Sequence, residues 1–240
     1  MNNPYIPFPS RILEVIRHTQ KEYTFRMVFY GEVKPGQFFE VSVPKYGEAP
    51  ISVSGIGPGF VDLTIRKVGR VTNEVFETYA GQNLLLRGPY GNGFDVGLYR
   101  EGETVVVAGG TGVSPVRGVI SALAQMDNAK DKYAITGFRS PSDMLFRDDL
   151  EAWEKRLNLI LTVDGAPEGY EGNVGLVTKY IADLPLRIRL RQRRSWSDRA
   201  NDEVYDHRAE EEGVCGREHH GILRAQDVLR AWKVRALPGQ

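Results

Sequence analysis

Gly109-Gly110-Thr111-Gly112-Val113-Ser114-Pro115 follows a wholly apolar run at 104–108 and opens a segment, 113–124, with helical spacing. Glycines at such a junction let backbone N–H groups approach a phosphate, and a helix N-terminus adds the positive end of its dipole. Pro115 suits the first helical turn, whose amides have no intrahelical partner. The chemistry on offer is capture of a dinucleotide pyrophosphate, although a tight strand-to-helix turn would use the same glycines. Arg139 ends the next apolar run, 133–138, and its guanidinium suits a ribose-side phosphate of that dinucleotide or an ion pair with Asp143. Asp164 closes the run 158–163, where parallel sheets place residues that face ligands.

Other chemistries are poorly supplied. The chain has one cysteine, Cys215, and four histidines, His18, His207, His219 and His220. That set excludes an internal disulfide framework and a cysteine-rich metal site, so no metal ligands are expected. Basic and acidic side chains balance at 31 each, which argues against a nucleic-acid surface. No apolar run approaches the length of a membrane span, and the first ten residues lack the basic start and apolar stretch of a signal peptide. A cytoplasmic location away from membranes is the expectation.

The elements that must position the glycine loop change character along the chain. Short, half-alternating apolar runs at 11–17, 23–29, 38–43, 51–53, 60–68 and 83–87 are separated by Gly and Pro turns. Such spacing predicts a closed antiparallel barrel, with one helix at 72–79. After residue 100, strands at 104–108, 133–138 and 158–163 alternate with helices at 113–124, 146–157 and 177–183. Continuous apolar strands alternating with helices imply a doubly wound parallel sheet covered on both faces. The reading is therefore all-β followed by α/β, with domains at 1–97 and 98–186.

A barrel ending in Arg87-Gly88-Pro89-Tyr90-Gly91, followed by a parallel unit starting at the glycine loop, resembles the ferredoxin-NADP reductase superfamily. Gly137-Phe138-Arg139, Asp143, Leu145-Phe146 and Leu150 match its later segment. Within it, the stretches at 36–55, 65–72 and 86–94 resemble the B subunit of anaerobic sulfite reductase. The gamma subunit of NAD(P)H hydrogenase and the electron-transfer subunit of dihydroorotate dehydrogenase are more distant in this reading and form the alternative. A non-catalytic flavin-binding remnant is a further one.

The resemblance implies FAD on the barrel and NAD(P)H on the second domain. Electrons would pass to the iron–sulfur and sirohaem subunits of sulfite reductase. The superfamily's Arg-x-Tyr-Ser flavin motif falls on Ala49-Pro50-Ile51-Ser52. Ser52 is retained beside the reacting flavin atom, and the arginine and tyrosine are absent. Pro50, Ile51, Ser52, Arg66, Gly69, Val71 and Thr72 are then the implied flavin contacts. Gly109, Gly110, Thr111, Gly112, Pro115 and Arg139 are the implied nucleotide contacts.

The resemblance ends near Leu186. Residues 187–240 hold one lysine and eleven arginines, whereas residues 1–186 hold eight and eleven, so the tail is compositionally foreign. The family's nicotinamide-side loop and the cysteines of its 2Fe-2S cluster are missing. Two slips of reading frame, near Leu186 and near Arg199, would explain both the arginine excess and the losses. Shifted by one base, the codons for 216–239 permit a C-x4-C-x2-C series of the kind that ligates iron–sulfur clusters. This is a hypothesis; an unshifted frame in the gene and a matching intact-protein mass would end it.

Overall fold

Alternation of apolar and polar residues makes six antiparallel strands of the first ninety residues: β1 Phe8–Arg17, β2 Glu22–Val28, β3 Phe38–Val43, β4 Gly47–Gly57, β5 Phe60–Arg66 and β6 Asn83–Tyr90. The structure, a computed structural model, describes residues 5–78, 83–181 and 184–185. The strands close in the order β1-β2-β5-β4-β3-β6. Phe25, Met27, Phe39, Val41, Leu63, Ile65 and Leu86 fill the interior. Closure leaves no free sheet edge, so backbone pairing is complete around the ring.

Strand β4, 11 residues long, extends well beyond the run at 51–53 read from the sequence. Pro50 lies inside it, in the part from Gly47 to Ser52 that pairs with β3, and pairing with β5 runs only over Val53 to Gly57. Proline is tolerated there because that part of the strand lacks a ladder to β5. Helix α1, Arg70–Thr78, starts two residues early. Thr72 Oγ1 accepts from the amides of Val68 and Gly69 at 3.1 and 2.9 Å and so closes the turn that enters the helix.

The second half contains β7 Thr104–Gly109, α2 Val113–Ala124, β8 Lys132–Phe138, α3 Arg147–Arg156, β9 Asn158–Val163, β10 Asn173–Val174 and α4 Val177–Ile181. Its strands are parallel in the order β10-β9-β8-β7. Val113, Ile120, Leu123, Phe138, Leu145, Leu150 and Trp153 form a second core, against which Phe94 and Tyr99 pack. Both cores lie in one compact unit that reaches Tyr180. Strand β10 is too short for periodicity to reveal. It forms because Gly175 N donates to Val163 O at 2.8 Å and Thr162 Oγ1 to Gly175 O at 2.7 Å.

Lys132, fully buried at the start of β8, pins the segment that leads out of the barrel. Its ammonium donates to the carbonyls of Tyr99, Arg100 and Gly102 at 2.8, 3.2 and 2.6 Å. Burial pulls its pKa below the ordinary lysine value. The foreign tail, 187–240, with Cys215, His207, His219 and His220, lies outside the described residues.

Candidate functional site

Strand β7 delivers the chain to the glycine loop at the carboxyl end of the parallel sheet, where open α/β sheets hold ligands. Gly110 has φ +53°, a left-handed value that glycine takes without cost. A Cβ added at Gly110 or Gly112 would meet nothing within 4 Å, so backbone here faces open space. The loop runs through a short 3₁₀ turn, Gly110–Gly112, straight into α2. The backbone of this loop and the dipole of that helix start can therefore address an anion.

A cleft of about 370 Å³ opens beside this loop. It is lined by Gly110, Thr111 and Arg139 from the parallel-sheet half and by Arg66 from the barrel. Four residues named from sequence thus share one space. Gly109, Gly112 and Pro115 flank it in the same loop and helix, outside its lining. Arg139 is exposed and makes no ion pair within 4.0 Å among the described residues. The ion pair anticipated with Asp143 does not form; Asp143 instead accepts from Ser140 Oγ at 2.5 Å.

The β1–β2 hairpin completes the wall and was not anticipated. Thr19, Gln20, Lys21 and Glu22 line the cleft opposite Arg139 and Asp143. Glu22 pairs with Arg66 at 3.2 Å, and Thr19 Oγ1 donates to the other carboxylate oxygen of Glu22. Arg66 is thereby aimed, with half of its side chain still exposed. Lys21 adds a second barrel cation. No local signal marks a hairpin tip as part of a site; only the approach of the second half makes it one.

The implied flavin segment on β4 lies outside the cleft lining. Ile51 points into the barrel core at 9% exposure, so its side chain is packing and only its backbone is available. Pro50 and Ser52 pair with Glu40 and Phe38 of β3. Across β3, those two residues pair in turn with Arg87 and Tyr90 of β6. Register therefore returns an arginine and a tyrosine to the rows of Pro50 and Ser52, where the sequence motif lacks them. Arg87 donates to Tyr90 Oη at 2.9 Å and to Glu48 Oε1 at 3.3 Å, and Arg87 with Ser42 holds the Glu48 carboxyl below its usual range. Tyr90 sits 5.6 Å from the Phe38 ring. In the sequence alone, Arg87 to Gly91 serve only as a family marker.

Gly69, Val71 and Thr72 form the start of α1, which packs against β3 and β4. Thr72 Oγ1 is committed to the helix turn, so what remains for an anion are the amides of Arg70, Val71 and Thr72. Cationic Arg66 and Arg139, the open backbone at Gly110 and Gly112, and these amides fit the phosphates of FAD and a nicotinamide dinucleotide. A thiolate-held cluster does not fit, because one cysteine in the whole sequence cannot supply its ligands.

Comparison with known proteins bears on the fold. The oxidoreductase NAD-binding domain family matches residues 106–192. Sulfhydrogenase 1 subunit gamma of Pyrococcus furiosus is 38% identical over 164 residues, covering 63% of this chain and 55% of that protein. A probable dihydroorotate dehydrogenase B (NAD(+)) electron transfer subunit of Thermoplasma volcanium is 33% identical over 162 residues, 68% and 58% of the two chains. The chain spans about half the length of the curated relatives it matches. Among solved structures, the ferredoxin reductase in carbazole 1,9a-dioxygenase superposes with a TM-score of 0.64 at 21% identity, over 75% of this chain and 57% of that one. No helix among the described residues is long and apolar enough to cross a membrane. The chain thus has the ferredoxin-reductase FAD/NAD-binding fold, a six-stranded barrel followed by a parallel sheet that matches the oxidoreductase NAD-binding domain.

Proposed function

We propose that this chain is an NAD(P)H-dependent, FAD-binding electron-transfer subunit of the hydrogenase gamma or dihydroorotate dehydrogenase electron-transfer type. The observation that carries the reading is the cleft in which barrel Arg66 meets Gly110, Thr111 and Arg139 of the dinucleotide loop region. The relatives reported above favour these two types over the sulfite reductase B subunit expected first. The sulfite reductase reading keeps its support in the stretches at 36–55 and 65–72, and the electron acceptor is what separates it from the others.

FAD, when bound, converts the two electrons of a hydride into single-electron steps. The chain's own residues bind and orient. Arg66, aimed by Glu22, supplies charge to a flavin phosphate, and the α1 amides add donors. Gly110 and Gly112 let backbone approach the dinucleotide, and Arg139 meets its adenosine side. Ser52 offers a hydroxyl to the flavin ring from the outer face of β4. No side chain is required as a general base. The partner subunits that accept the electrons and a cytoplasmic setting belong to the same proposal.

The test is binding by the purified chain. FAD should bind, seen as quenching of its fluorescence and a resolved visible spectrum, while NAD(P)H-dependent dye reduction should be weak because the nicotinamide-side loop is missing. Arg66→Ala should weaken FAD binding, and Arg139→Ala should weaken ADP binding, each by roughly 10- to 100-fold for the loss of one charge-assisted contact. Unchanged affinities in both variants would remove the cleft from the account.

A further inference from the structure

Outside the cleft, four elements of the fold converge on one guanidinium. Arg117 is the fifth residue of α2, the helix that the glycine loop opens. Its Nη1 donates to the Ser54 carbonyl of β4 at 3.1 Å and lies 3.5 Å from Asp62 Oδ2 of β5. Its Nε and Nη2 hold the Asp149 carboxylate of α3 at 2.9 and 3.2 Å, and its Cζ lies 4.8 Å from the Phe146 ring centre. Asp62 is 2% exposed and is gripped from its other side by Arg26 at 2.8 and 3.1 Å.

The surroundings are shaped to this side chain. A Cβ at Gly55 would stand 2.6 Å from Asp62 Oδ2 and 2.9 Å from Arg117 Nη1, so glycine is what leaves the guanidinium its seat. Phe146 takes φ +55°, a left-handed backbone that is costly for a bulky residue and persists only where its surroundings over-determine it. Its amide donates to His18 Nδ1 at 3.4 Å, which leaves Nε2 of His18 to donate to Thr24 Oγ1 at 2.8 Å. From Thr24 a buried hydroxyl chain runs through Thr64 to Ser54 at 2.7 Å per step. The same strand segment, Ser54-Gly55, is therefore tied to the second half both by Arg117 and through His18.

We propose that Arg117 is a positioning residue: it clamps the dinucleotide-loop helix to the strand that carries Ser52 and thereby sets the separation of the cleft's two walls. Domains of one chain move relative to each other unless their interface is large or specifically tied. Here the tie is a fork of directional, charge-assisted bonds, which fix orientation in a way apolar packing does not. Asp149 has its guanidinium fork from Arg117, and Asp62, already held by Arg26, gains a second cation from it, so a loosened clamp costs Asp149 most. The consequence for nucleotide and flavin rests on the proposed function; the clamp itself does not.

Two variants test it. Arg117→Lys keeps the charge and loses the fork, and Gly55→Ala unseats the guanidinium without deleting it. In the ligand-free chain, hydrogen–deuterium exchange over 53–57 and 146–150 should rise on the order of tenfold in both variants, with β8 and β9 unchanged. In the FAD-loaded chain, both should keep FAD content and ADP affinity while NAD(P)+ loses more than half of its perturbation of the flavin visible spectrum. Wild-type exchange in both variants would overturn the clamp. Faster exchange with an undiminished flavin perturbation would overturn its positioning role. A wild-type chain that holds no FAD would defeat the proposed function, while the exchange result would still decide the clamp.

Discussion

The barrel and the parallel sheet spend their polar groups in opposite ways. In the barrel, polar side chains satisfy one another: Arg26 with Asp62, Arg87 with Glu48, and Thr24 with Thr64 and Ser54. In the parallel-sheet half, Gly110 and Gly112 face open space, and Arg139 has no ion pair among the described residues. There too Ser114 Oγ and Thr136 Oγ1 are buried without a hydrogen-bond partner among the described residues. Strand β7 pairs only with β8 among those residues and keeps Val105, Val106 and Val107 half-buried. Buried polar groups are normally satisfied, so these two hydroxyls set this half apart from the barrel. The lesson is that the barrel pairs most of its polar groups internally and keeps Arg66 and the start of α1 for a ligand, whereas the nucleotide side leaves its loop backbone and Arg139 open.

Lys132 is the exception that can break the contrast, because it is the most completely satisfied polar group of the parallel-sheet half. Lys132→Met should orphan three carbonyls and cost about 3 kcal/mol, read as a lower urea midpoint. A loss as small as that of a surface substitution would mean that the exit segment from the barrel is held by packing alone.

His18 sharpens it from the barrel side. Burial, then Arg117, lowers its pKa from 6.5 to about 4, against a raising contribution from Asp62. The folded chain resists protonation down to about pH 4, while the unfolded chain takes up the proton near 6.5. Acidification between those values therefore favours unfolding, and the stability supplied above pH 6.5 is lost by pH 4. The loss should be on the order of 1–2 kcal/mol, because His18 is partly exposed and solvent screens the interaction. The measurement is the difference in pH-dependent stability between wild type and His18→Gln; parallel curves would show that His18 titrates normally.

The smallest effect on stability is expected at Gly112. Its φ of −64° suits any residue and a Cβ there meets nothing, so Gly112→Ala should change folding stability by less than about 0.5 kcal/mol. The same methyl should weaken ADP binding several-fold by occupying phosphate space. Equal ADP affinity would show that this open space is not used.

Much of the architecture was legible because its signals are local. Helix α2 and strand β9 fall where periodicity placed them, since continuous apolar strands and amphipathic helices are written in adjacent residues. Gly110 was recognisable for the same reason: a left-handed turn between strand and helix needs glycine. The length of β4 was not legible, because its two parts pair with different neighbour strands, β3 up to Ser52 and β5 from Val53. Arg87 and Tyr90 were seen only as markers, because their place beside Pro50 and Ser52 depends on a register across a third strand.

By itself, then, the sequence determined the two kinds of sheet, the glycine loop and the cations Arg66 and Arg139, all properties of residue type and short spacing. Only the tertiary structure decided that the hairpin at Thr19 to Glu22 walls the cleft, that Glu22 aims Arg66, and that Arg117 holds α2 to β4. Glu22 and Arg66 meet across 44 positions inside the barrel, and Arg117 and Ser54 meet across 63 where apolar burial brings two separately patterned halves together. Hydrophobic pattern selects each half; directional hydrogen bonds and charges, invisible until the halves meet, set how they face one another.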